Sequence, residues 1–230
     1  MANTHSLDLE RSSSQYAWKD EPANLDITGD LTIEAWIKME SLNAATPIVM
    51  MGTTGETEAD NVLYNFRVND SGVLSVLWEY GSGSNEAANR AAADITTGTW
   101  YHVAIVRDVS ENDVLFYVNG VLKETVSYTN DPTGGANGDL YVGTELGANY
   151  FDGKIDDLRI WNDVRTQSEI QANMRKQLLG SESNLVGYWR FNNSYADETS
   201  NSNNLTPINS PVFSTDVPAW PTGSFLLNFV

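Results

Sequence analysis

In Leu31–Met39, LTIEAWIKM, the apolar residues Ile33, Ala35 and Ile37 alternate with Thr32, Glu34 and Lys38. That period of two predicts a strand with one face turned to a core. VLYNFRV and VLSVLWEY follow, separated by the turn residues Asn69, Asp70, Ser71 and Gly72, and read as a hairpin. WYHVAIVR (Trp100–Arg107) precedes DVLFYV, which Asn119-Gly120 joins to VLKETV. Asn-Gly tolerates positive φ at both central positions, so it predicts a two-residue type I′ turn. Short β-branched and aromatic runs bounded by Gly, Asn, Asp and Ser continue along the chain, the pattern of an all-β sandwich or barrel.

One stretch breaks the period. Thr166 stands as a helix N-cap with Glu169 as its capping-box partner, and Ile170, Met174 and Leu178 form one apolar stripe ending at Gly180. A single short helix near 166–179 is expected, with Arg175 and Lys176 towards its C-terminal end, packed as a flap on the edge or rim of the sandwich. Nothing suggests the parallel βαβ repeat of a Rossmann-like sheet. Beyond it, Leu185–Phe191 reads as a strand, followed by an Asn-rich loop and the segment Leu205–Phe213. These pieces bury too little surface to fold alone. The expectation is one domain over 1–230, with 181–214 completing its sheets and 215–230 a docking tail.

Composition narrows the partners. Seven Trp, ten Tyr and seven Phe in 230 residues supply a large core, and the absence of cysteine excludes disulfides, thiolate metal sites and a cysteine nucleophile. Thirty-one acidic against thirteen basic side chains give a net charge of −18, a field that repels nucleic acid and anionic membranes and suits divalent cations or basic partners. The opening MANTHSLDLE lacks the pattern of a secretory signal, and the longest apolar run, Phe225–Val230, is far too short to insert into a membrane.

Four segments carry a resemblance: His5–Lys38 with its Glu-Ala-Trp core, GTWYHVAIVRD (Gly98–Asp108), VLFYVNGVLKET, and NYFDGKIDDLRIWNDVRTQSEI (Asn149–Ile170). They resemble the concanavalin A-like lectin/glucanase superfamily, in its laminin G-like branch. LVGYWRFNNSYADETSNSNNLT adds a fifth likeness, with Asn201 and Ser202 standing where the family has glycines. The resemblance implies a two-sheet antiparallel jelly roll. It also implies a non-catalytic recognition or adhesion module for a glycan or a protein surface, at an extracellular or virion surface. The alternative is a phage or virus decoration or fibre subunit that assembles, as a homo-oligomer or larger particle, through 225–230.

The resemblance further implies a structural calcium at Asp156, with Glu10 as a partner. Read from the residues alone, Asp157 and Asp156 would instead pair with Arg159 or a loop amide. A second calcium cluster is Asp197, Thr199, Asn201 and Asn203, at alternating positions in a turn, although Asn and Ser also tie such turns to their own backbone. A third is Asn130, Asp131, Asn137 and Asp139.

Sandwich glycosidases flank the scissile bond with two carboxylates on a strand. Glu56, Glu58 and Asp60 lie in a Gly-rich loop, and Glu34 and Glu40 are a six-residue step, roughly 20 Å, apart. His5 and His102 have no nucleophile turn beside them. No enzyme is expected. For ligand contact the candidates are Trp78 and Tyr80, beside the polar loop GSGSNEAANR, and Tyr150, whereas Trp36, Trp100, Trp161 and Trp189 read as core.

Overall fold

The computed structural model describes residues 3–43, 45–53, 62–81, 84–133, 138–145 and 147–220. In chain order its strands are β1 (Ser6–Leu9), β2 (Tyr16–Lys19), β3 (Leu31–Met39), β4 (Thr46–Gly52), β5 (Val62–Val68), β6 (Leu74–Tyr80), β7 (Ser84–Asn89) and β8 (Trp100–Asp108). They continue with β9 (Asp113–Val118), β10 (Val121–Ser127), β11 (Asp139–Val142) and β12 (Gly153–Trp161). Helix α1 (Gln167–Asn173) precedes β13 (Leu185–Trp189), β14 (Thr206–Ile208) and β15 (Val212–Ser214).

Among the described residues these strands form two antiparallel sheets, a jelly-roll sandwich. The first has eight strands in the order β10-β9-β8-β3-β12-β1-β15, with β13 also on β12, and the second has seven in the order β14-β2-β11-β4-β5-β6-β7. Both expected hairpins form: β5 pairs with β6 across Asn69–Gly72, and β9 with β10 across Asn119-Gly120, both at positive φ. The strands after the helix join both sheets, β13 pairing with β12, β15 with β1 and β14 with β2. One edge of β12 serves two partners. Gly153–Ile155 pairs with β1 and Leu158–Trp161 with β13, and the bulge at Asp157, with φ of 54°, separates the two stretches.

The core lies between the sheets. Ile33, Ala35 and Ile37 from the first sheet meet Phe66, Val68, Leu74, Val76, Leu140 and Val142 from the second, all in one buried cluster. Strand alternation then sends the intervening residues to the outer face of each sheet.

On the outer face of the first sheet these residues are charged and aromatic, and α1 covers them. Ile170 packs on Ala104, Val106 and Tyr117. Thr166 and Glu169 form the expected capping box. The helix is shorter than the apolar stripe suggested, and it lies on the sheet face rather than at a rim. Arg159 donates to the carbonyls of Asn173 and Lys176, and the Trp36 indole to that of Met174. These side chains satisfy the helix's last carbonyls, so no further turn is needed for that purpose. Leu178 still finds apolar company, against Trp161, Leu185 and Tyr188.

Beneath the helix, Glu34 accepts from Arg159 at 3.3 Å and from the Trp161 indole at 3.1 Å, with His102 Nε2 3.1 Å away. Arg159 also binds Asp157, which accepts from the Tyr188 hydroxyl. Glu34 is fully buried, yet the attraction of Arg159 together with the hydrogen bond from His102 outweighs desolvation and pulls its pKa down to about 2. Among the described residues no helix is long and apolar enough to cross a membrane.

Candidate functional site

The outer face of the second sheet has no helix packed on it among the described elements. Across it one line of register runs through Thr206, Trp18, Tyr141, Met50, Asn65, Leu77 and Ala87, each paired with the next on the neighbouring strand. The parity follows from the strands themselves. Ala17, Leu140 and Val142, Phe66 and Val68, and Leu74 and Val76 point into the core, so Trp18, Tyr141, Asn65 and Leu77 point out.

Aromatic rings crowd one end of this line. Trp18 and Tyr141 lie 6.4 Å apart between centroids with planes 19° from parallel, and Tyr16 sits 6.2 Å from both Tyr141 and Tyr150. Tyr150 is held by its surroundings rather than by a strand: its hydroxyl donates to the Gly147 carbonyl and its own carbonyl accepts from Arg11 Nε at 2.9 Å. The Tyr141 hydroxyl donates to Asp139 at 2.9 Å, and Asp139 also accepts from the Glu21 amide. Burial raises the pKa of Tyr16, and Tyr150 beside it adds to the rise.

Asn65 lies near the middle. It is 0% exposed, and neither its Nδ2 nor its Oδ1 has a hydrogen-bond partner. The Trp18 indole nitrogen is likewise buried and unpaired. Buried polar atoms almost always find partners, and leaving one unpaired costs about 1–3 kcal/mol. Met50 and Tyr141, which lie between Trp18 and Asn65 on the line, are 0% and 5% exposed, so this stretch of the face is buried, whereas Tyr16, Trp18 and Tyr150 at its aromatic end are half-buried.

Three carboxylates border the face, and each is engaged. Asp139 is bound as above, Glu79 accepts from the Val62 amide at 3.2 Å, and Glu145 lies 3.9 Å from Arg67.

A laminin G family model matches residues 11–171. The chain belongs to the concanavalin A-like lectin/glucanases superfamily. No curated protein matches this member of the superfamily. Among solved structures it is similar to a proposed carbohydrate-binding protein of Bacteroides ovatus, at 22% identity and a TM-score of 0.67 over 93% of this chain and 60% of that one. The chain thus spans about three fifths of that relative. It is also similar to the CBM40 of the Ruminococcus gnavus IT-sialidase bound to α2,3 sialyllactose, at 17% identity and a TM-score of 0.61, covering 73% of this chain and 95% of that one. Domain 4 of AbnA, a GH43 extracellular arabinanase from Geobacillus stearothermophilus, in complex with arabinotriose, gives 25% identity and a TM-score of 0.50 over 67% and 69% of the two chains.

The residues expected from sequence to act fare differently. Trp78 lies in the core: it shares the inward parity of Leu74 and Val76, is fully buried, donates to the Asn130 carbonyl and meets Tyr128 edge-on. Tyr80 follows the same parity at the end of β6, away from the outer line, and is half-buried. Tyr150 joins the aromatic cluster. Trp36, Trp161 and Trp189 are buried, and Trp100 is half-buried with its indole on Asp216.

The calcium candidates fall in separate places in the fold. Asp156 is 0% exposed, accepts from Asn3 and keeps Oδ1 unpaired, while Glu10 follows the pairing of Leu9 with Gly153, about 10 Å along β12. Desolvation pushes the pKa of Asp156 well up. Asp197 already accepts from the Tyr188, Thr199 and Asn203 amides and the Thr199 hydroxyl. Asn201 and Asn203 direct their amide nitrogens to Val186 and Asn24. These bonds tie the loop to its own backbone, to β13 and to Asn24. Among the described residues no group of three or more His, Cys, Asp or Glu stands in metal-holding geometry.

Glu34 and Glu40, weighed as a carboxylate pair, are held apart, the first under α1 and the second on Lys154. Glu56, Glu58, Asp60, Asn137 and the tail Phe225–Val230, on which the assembly reading rested, lie outside the described residues.

Proposed function

We propose that the protein is a non-catalytic carbohydrate-binding module whose ligand lies on the outer face of the second sheet. The observation that carries this is the cluster of half-buried rings, Tyr16, Trp18 and Tyr150, gathered around Tyr141 at one end of that face. Similar structures, a CBM40 bound to sialyllactose and a domain in complex with arabinotriose, support glycan binding on this fold. The protein accordingly works where glycans are displayed, outside cells or on a particle surface.

The test is a printed glycan array probed with the wild-type chain and Tyr141→Ala, each checked for folding by circular dichroism. Saturable binding that the substitution weakens at least about tenfold, with no shortened sugars released from the bound glycans, is expected. A folded wild-type chain that binds nothing on the array contradicts the proposal, as does binding indifferent to Tyr141.

A further inference from the structure

We infer that the ligand is a single, soluble glycan chain of which two or three consecutive rings lie along β2, over Trp18, Tyr16 and Tyr150 in that order, and that the site rejects the flat surface of a crystalline polysaccharide. The inference rests on reading the face as a glycan site and adds the class of glycan and the direction in which it lies.

Direction follows from which side chains are open. Trp18, Tyr16 and Tyr150 are half-buried, whereas Tyr141, Met50 and Asn65, the next positions towards the middle of the sheet, are 5%, 0% and 0% exposed. A ligand on the rings therefore meets a closed surface towards β4 and β5. On the other side of β2, among the described strands, lies only β14 at the sheet's edge, where Ile208 pairs with Tyr16 and Thr206 with Trp18. Ile208 is half-buried and Thr206 exposed. The open course runs along β2 itself, with room for substituents on its β14 side.

Length and shape follow from the row of rings. Tyr16 and Trp18 share the outward side of β2, two residues and about 7 Å apart. β11 runs antiparallel to β2, with Tyr141 opposite Trp18 and Val142 opposite Ala17, so the chain that follows Val142 and carries Tyr150 leaves β11 at the Tyr16 end. There the Tyr150 ring lies 6.2 Å from Tyr16. The row is thus about 13 Å long. A sugar ring is close in size to the aromatic ring it stacks on, so the row suits two or three consecutive sugars. It is also twisted: the Tyr16 plane is 36° from that of Tyr150 and 44° from that of Tyr141. A crystalline polysaccharide presents coplanar rings and cannot lie flat on such a row, whereas a free chain turns about its glycosidic bonds and follows it.

Isothermal titration with xylo-, arabino-, cello- and galacto-oligosaccharides of one to five rings, and pull-down on crystalline cellulose and chitin, test this. At least one soluble series should bind, tighten by about tenfold or more from the monosaccharide to the trimer and then level off, and the wild-type chain should stay off both solids. Trp18→Ala and Tyr150→Ala, at the two ends of the row, should each lower the trimer's affinity about tenfold, towards that of the dimer. Asn65→Leu, off the row, replaces an unpaired buried amide by an apolar group of similar size; it should fold at least as stably and change the trimer's affinity by less than about twofold. A monosaccharide that binds as well as its trimer, affinity that climbs on to the pentamer, retention on either solid, or binding lost with Asn65→Leu overturns this inference, and leaves the face as the site if Trp18→Ala or Tyr150→Ala, folded by circular dichroism, still weakens binding. A folded wild-type chain that binds none of these sugars, or binding untouched by both ring substitutions, overturns the reading of the face and the inference with it.

Discussion

Trp18 and Tyr141, on adjacent strands and 123 residues apart in the chain, stack nearly parallel with ring centroids 6.4 Å apart. Their strands carry core residues on the opposite parity, so the rings contribute little to the packing between the sheets. Trp18→Ala is therefore expected to lower stability by no more than about 1–2 kcal/mol, the cost of a half-buried side chain, while weakening glycan affinity about tenfold or more. Urea unfolding and titration on the same preparation check both. A large stability loss with unchanged affinity would make the pair a packing feature only.

Glu34 is the keystone of the cluster under α1. Removing it leaves Arg159 and the Trp161 indole without that acceptor in a buried setting. Glu34→Gln is expected to cost about 3 kcal/mol in urea unfolding, in line with breaking one side of a buried ion pair. A cost below about 1 kcal/mol would show that Asp157 alone suffices for Arg159.

Two buried carboxyls give opposite pH dependence. Glu34 titrates at about 2 in the folded chain against a usual 4.5, so its stabilisation is complete above pH 4.5 and is lost as pH falls towards 2. Asp156 is raised, so the folded chain holds its proton to higher pH than the unfolded chain does. Its contribution is best below the unfolded value of 3.8 and is lost as pH rises through the folded value. Asp156→Asn keeps an acceptor for Asn3 and should raise stability at pH 7 while leaving the acid limb from Glu34 intact. Unfolding free energies from pH 3 to 8 test this, and an Asn variant that is less stable at pH 7 would mean the carboxylate holds a partner there.

Asp197 accepts four hydrogen bonds from its own loop and from β13. Asp197→Ala strands several buried donors and should cost about 2–4 kcal/mol. Because both oxygens are already used, melting should show the same loss in millimolar calcium and in chelator. A melting temperature raised by calcium in the wild type but not in the variant would contradict this.

Much of the fold was legible in local pattern. Asn119-Gly120, the Asn69–Gly72 turn and the Thr166/Glu169 box each act over a few residues, so sequence alone locates them. The helix end was not legible, because carbonyls of Met174 and Lys176 are claimed by Trp36 and Arg159 from distant strands. The proposed face was not legible for a similar reason. Its line gathers residues 18, 141, 50, 65 and 77, which are neighbours only through long-range pairing. A usable signal was present in parity: Trp78 shares the period of Leu74 and Val76 and so had to face the core, whereas Tyr16 and Trp18 flank the inward Ala17. Proximity to a polar loop was the weaker guide.

The most direct test of the central claim is a heteronuclear spectrum of the tryptophan indole N–H groups during titration with the best-binding oligosaccharide from the array. The Trp18 indole, unpaired in the structure, should shift in step with binding, while Trp78, Trp161 and Trp189, whose indoles are already bonded to Asn130, Glu34 and Asn203, stay in place. Saturation that moves Trp100 or Trp36 on the first sheet and leaves Trp18 unmoved would contradict it.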